Sequence, residues 1–147
     1  MQTENEGYVI TSDVSSLVNV NCDEIWLITR AGKDIPGTIR VRALAPEKTL
    51  FAQYYNEWRL KDPKEWWPLY RQEFLRELAM PEKMYALRKL WQLVKRGKII
   101  ALACFCKDSR YCHRTLVGNI LKEHGIRVYE IGKNEGTNHE YKQLNLF

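Results

Sequence analysis

Ile99-Ile-Ala-Leu-Ala-Cys104-Phe-Cys106-Lys-Asp-Ser-Arg-Tyr-Cys112-His113-Arg114-Thr-Leu-Val-Gly-Asn-Ile-Leu121 is the stretch that decides the fold class. Its opening, Ile99 to Ala103, is a short continuous apolar run of the kind a buried strand needs. Its end carries a helical stripe, with His113, Leu116, Val117, Ile120 and Leu121 at i, i+3, i+4, i+7 and i+8. A strand that runs straight into a helix is the unit of a parallel sheet. Ligands of such sheets sit where strands end and helices begin. There the first N–H groups of the helix are unpaired and its dipole is positive, so an anion or a thiolate is favoured. Three of the four cysteines lie in this turn, among Lys107, Asp108, Arg110, His113 and Arg114.

Outward from the turn, the flanking segments alternate between strand and helix patterns. Tyr8 to Thr11 and Ile25 to Arg30 read as strands, and Arg127 to Ile131 as a closing strand. Ile39, Val41 and Leu44 alternate with Arg40 and Arg42 as a brief edge strand, after a Gly- and Pro-bearing loop over 31–37. Three helices fill the middle. The first starts at Pro46, with Leu50, Tyr54 and Trp58 on one face. The second has Asp62 as cap, Pro63 at its first position and Glu65 at its third. Trp67, Tyr70, Phe74 and Leu78 form its apolar face. The third starts at Pro81, buries Met84, Leu87, Trp91 and Val94, and stops at Gly97. The expectation is a layered α/β/α, Rossmann-like fold with a mainly parallel sheet of four or five strands. It forms a single domain over residues 1–147, with a flexible tail from about residue 132.

The 147 residues carry a net charge of +5, which suits a phosphate-bearing partner without requiring one. No apolar run is long enough for a membrane helix, and the acidic N-terminus is unlike a signal peptide. The chain is therefore expected in the reducing cytoplasm, where cysteines serve as free thiols, metal ligands or catalysts. Neither a Gly-x-Gly-x-x-Gly motif nor a Walker-type lysine loop is present, which excludes the usual dinucleotide and NTP sites.

Three chemistries fit the turn. In the first, Cys106, Lys107, Arg110, Arg114 and the helix N-terminus hold a phosphate of a nucleotide or nucleic acid, and no cofactor is needed. In the second, Cys104 or Cys112 is a nucleophile beside an Arg114 anion clamp, with Asp108 or His113 as acid or base. In the third, Cys104, Cys106, Cys112 and His113 bind structural zinc. Cys104 and Cys106 are two apart, so on a strand they would share a side. Thr11, Ser12 and Arg30 end neighbouring strands and belong to the same rim. Cys22 is incidental.

The turn, with its apolar strand, cysteine, charged loop and Cys112-His113-Arg114 helix start, resembles the signature of the family called domain of unknown function 488. Tyr8-Val-Ile-Thr-Ser12, Leu44-Ala-Pro-Glu-Lys-Thr-Leu50 and Val128-Tyr-Glu-Ile131 extend the likeness over about residues 8–131. The resemblance implies an α/β fold and a bacterial, archaeal or phage source, with no established activity. Finally, Gln143-Leu144-Asn145-Leu146-Phe147 resembles the peptide by which bacterial polymerases and repair proteins dock on the sliding clamp. Leu144, Leu146 and Phe147 would enter an apolar pocket and Gln143 would bond at its rim.

Overall fold

The computed structural model describes residues 6–17 and 20–131. The predicted flexible tail and the clamp-like Gln143, Leu144, Leu146 and Phe147 lie outside the described residues. The strands are β1 (Tyr8–Asp13), β2 (Glu24–Leu27), β3 (Ile39–Arg40), β4 (Ile99–Cys104) and β5 (Val128–Ile131). The helices are α1 (Lys48–Gln53), α2 (Pro63–Glu77), α3 (Pro81–Lys95) and α4 (His113–Glu123). The sheet has the order β3-β2-β4-β1-β5, and every pairing is parallel. This is an α/β fold consistent with a Rossmann-like layered architecture, as the alternation of patterns predicts.

β4 is the middle strand, which explains its apolar composition: its neighbours β2 and β1 cover both edges. Ile100, Leu102 and Cys104 face the main apolar cluster, to which all four helices contribute, and Ala101 and Ala103 on the other side are buried too. α2 starts as its cap signature predicts, with the Asp62 carboxylate accepting the Lys64 N–H at 3.0 Å. α3 ends at Lys95, and the chain turns away at Gly97, whose φ of 104° is cheap only for glycine.

Four expectations need correction. The first helix starts at Lys48, not Pro46, because Glu47 with extended backbone is its cap. The second strand ends at Leu27, so Arg30 lies in the loop beyond it. On α2 the deeply buried stripe is Trp66, Tyr70 and Phe74, while Trp67 packs half-buried beside it. On α3 the inward face includes Lys83, Ala86, Leu87, Leu90 and Val94, which turns Trp91 out to 38 % exposure. Lys83 displaces the expected stripe because the backbone carbonyls of Ala43 and Ala45 and the carboxylate of Glu47 wait for its ammonium inside.

Candidate thiolate site

Connections leave β2 and β4 in opposite directions: β2 leads outward to β3, and β4 leads through α4 to β5 on the far side. The crevice between their C-terminal ends is the switch point at which parallel sheets bind ligands. A cavity of about 360 Å³ occupies it. Thr29, Arg30, Ala31 and Gly32 line it from beyond β2, and Cys104, Phe105, Cys106, Tyr111, Cys112 and His113 from beyond β4. Its remaining wall is largely aromatic, from Phe51, Tyr54, Tyr55 and Tyr70. Tyr54 and Tyr55 open a π-helical turn over Tyr54–Trp58 that continues α1. Gly32, with φ of 103°, leaves room for the Phe105 ring, which lies 2.6 Å from where a Cβ would stand.

Three sulfurs gather on this wall. Cys104 ends β4, and Cys112 is the N-cap of α4 in an extended conformation. Their Sγ atoms are 3.1 Å apart, and both residues are 1 % exposed. The strand stops before Cys106, so the shared strand face expected for Cys104 and Cys106 does not exist. The chain bends at Phe105 instead and brings the Cys106 sulfur back, so that all three Sγ atoms lie within 4.8 Å of one another. Among the described residues this trio could hold a metal ion, and His113 is not part of it.

Arg114 is completely buried beneath the sulfurs. Its Nη1 donates to the Cys106 carbonyl at 2.7 Å and to Cys104 Sγ at 3.1 Å, with Cys112 Sγ at 3.6 Å. Its other edge grips Glu130 on β5, Nε at 3.2 Å and Nη2 at 2.9 Å. The Thr11 hydroxyl fixes that carboxylate by donating to it at 2.6 Å. Burial pushes the Cys112 thiol up, but hydrogen bonds from the Cys104 and Cys106 thiols and the positive charge of Arg114 outweigh it. Its pKa falls well below the ordinary thiol value. Cys106, half-buried, moves the other way, because the neighbouring sulfurs of Cys104 and Cys112 and its desolvation favour the neutral thiol. For Cys104 the bond from Cys106 lowers the pKa, but the bond to Cys112 and burial together raise it. The surroundings of Cys112, two neighbouring thiols and a guanidinium, thus favour negative charge on its sulfur.

His113 opens α4 with its Nε2 2.7 Å from the Ile28 carbonyl. A carbonyl only accepts, so Nε2 donates to it, and Nδ1 faces Cys112 Sγ at 3.9 Å.

The other expected site residues are dispersed. Arg30 lines the cavity and donates from Nε to the Pro46 carbonyl at 2.7 Å. Asp108 and Arg110 pair on the surface at 2.9–3.0 Å, where Asp108 caps the short 3₁₀ turn Ser109–Tyr111. Lys107 reaches Ser15 at 3.2 Å and the buried carboxylate of Asp13 at 3.9 Å. Ser12 donates to the Asp13 carbonyl, and Thr11 serves Glu130. None of these five side chains lines the cavity. Sequence reading missed Glu130 and the aromatic wall. The signal for Glu130 was a lone acid, two residues after Val128, in an otherwise apolar closing strand.

A sequence model of the family described as the active DUF488-N3 subclade, DUF488-N3a, matches residues 14–125, roughly three quarters of the chain. The matched span holds the three sulfurs, His113 and Arg114, and ends before Glu130. No curated protein and no solved structure matches the chain.

Proposed function

The chain belongs to the DUF488 family, and on that premise we propose that the cavity is a thiol-dependent active site with Cys112 as nucleophile. One observation carries the reading. The Cys112 sulfur sits at a helix N-terminus on the cavity wall, 3.1 Å from a second thiol and 3.6 Å from a guanidinium. Helix dipole, thiol donors and Arg114 all favour negative charge on that atom. In this reading the anion that Arg114 clamps is the chain's own sulfur rather than a phosphate from outside. His113 Nδ1 is the proton acceptor beside it. The aromatic wall selects a small electrophile with an apolar or flat body.

A pulse of iodoacetamide followed by peptide mapping tests this. Cys112 is expected to be labelled first, with a pH midpoint below the ordinary thiol value of about 8.5. Cys22 is the internal control, since burial and the neighbouring Asp23 push its pKa up. Cys112 labelled no faster than Cys22 at neutral pH defeats the proposal.

A second reading, structural zinc, is favoured by the mutual closeness of the three sulfurs. Zinc–sulfur bonds of about 2.3 Å in a tetrahedron place sulfurs about 3.8 Å apart. Elemental analysis of protein purified without chelator separates the two. Near-stoichiometric zinc, with all three cysteines protected from alkylation, replaces the thiolate reading.

A further inference from the structure

A thiolate that attacks carbon or phosphorus needs no second thiol in contact with it. Cys112 has one: Cys104 Sγ lies 3.1 Å away, fixed at the end of the central strand. Closing that gap by about 1 Å makes a disulfide bond. The guanidinium of Arg114 lies beside both atoms, at 3.1 Å from Cys104 and 3.6 Å from Cys112, so one cation can steady whichever sulfur carries the charge. Both residues are 1 % exposed, and the cavity is lined by both. About 360 Å³ lined largely by aromatic rings suits a small apolar molecule.

We propose that Cys112 and Cys104 form a dithiol pair that reduces small apolar disulfides, with Cys112 attacking and Cys104 resolving. The proposal rests on the thiolate reading of the site and names its substrate class. In the first step the Cys112 thiolate attacks one sulfur of R–S–S–R. A Cys112–S–S–R bond forms, the substrate S–S bond breaks, and RS⁻ leaves. In the second step the Cys104 thiol gives its proton to the departing RS⁻ and its sulfur attacks Cys112 Sγ. The mixed disulfide breaks and the Cys104–Cys112 disulfide forms. The balance is one substrate disulfide reduced to a thiol and a thiolate, and two protein sulfurs oxidised. Cys104 rather than Cys106 is the resolving thiol in this proposal, because its sulfur is the one at 3.1 Å from Cys112 and is fixed by the strand, whereas Cys106 sits on the loop past it.

The probe is 2,2′-dithiodipyridine, small, uncharged and aromatic, added in equimolar amount to the reduced full chain carrying Cys22→Ser. A fast phase releasing about two equivalents of pyridine-2-thione per disulfide consumed is expected, with Cys104 joined to Cys112 in the non-reducing peptide map. Cys104→Ser should stop at about one equivalent, with the adduct trapped on Cys112. Should that variant fail to fold, Cys106→Ser replaces it and should still release about two. A lasting adduct on Cys112 in the chain that retains Cys104, or a Cys106–Cys112 link, overturns the proposal while leaving Cys112 a nucleophile. Absence of any fast adduct on Cys112, together with slow iodoacetamide labelling, removes the site reading itself.

Discussion

Lys83 and Arg114 are both fully buried cations, and their surroundings differ in kind. Lys83 meets the carbonyls of Ala43 and Ala45 at 3.1 and 2.9 Å and the Glu47 carboxylate at 2.9 Å. Its hydrogen bond holds the Glu47 carboxyl below the usual carboxylate range. Glu77, buried alongside, accepts the Glu47 N–H at 3.0 Å and closes the junction between α2, α3 and the Leu44–Glu47 bend. Arg114 meets a carboxylate on one edge and two sulfurs on the other. A sulfur can gain or lose a proton, attack, or be oxidised. The first cation braces a joint, and the second lies against atoms whose charge it can influence. Burial alone does not tell such residues apart; the chemistry of their partners does.

Lys83→Met should strain this contrast most. It strands two buried carbonyls and should cost about 3 kcal/mol in denaturant unfolding. In the folded fraction, Cys112 alkylation should keep its pH midpoint. A shifted midpoint would mean that the two cations are coupled. Arg114→Lys comes next. It keeps the charge but cannot fork between Glu130 and the sulfurs. With the cation no longer held against the sulfurs, the Cys112 pKa rises, so alkylation at pH 7 should slow about tenfold, or about 1.4 kcal/mol. An unchanged rate would assign Arg114 to the same bracing role as Lys83. Glu130→Gln should have the smallest effect and the opposite sign. It removes a negative charge while keeping an acceptor for Arg114, so the Cys112 midpoint should fall by about half a pH unit. A rise instead would show that Glu130 acts by holding Arg114 in place rather than by its charge.

Much of the sheet and one corner of the site could be read from local pattern. The run Ile99 to Ala103 has the length and composition of a strand, and the stripe from His113 to Leu121 has the period of a helix. The turn between them is therefore legible, and with it Cys104, Cys112 and His113. What escaped depends on partners far along the chain. Lys83 breaks the apolar stripe of α3 because it bonds residues 38 and 40 positions earlier. Glu130 meets Arg114 across the sheet, from a strand whose own pattern says nothing about charge pairing. Cys106 was misplaced because strand periodicity was carried two residues too far, past the point where the ladder ends. The aromatic wall comes from the π-helical turn after α1 and from α2, which local stripes describe as core.

The strand order has a consequence in time. β1 and β2 are consecutive in the chain, yet β4 lies between them, and they are not paired with each other. During synthesis both must wait for Ile99–Cys104, about 70 residues after β2, before the sheet's centre can exist. Contacts of such long separation form slowly. The strand that joins β1 to β2 is also the one that delivers Cys104, so the centre of the sheet and the first of the three sulfurs arrive in the same event. The sulfurs therefore take their place at the rim of the sheet only once its middle strand is paired on both sides.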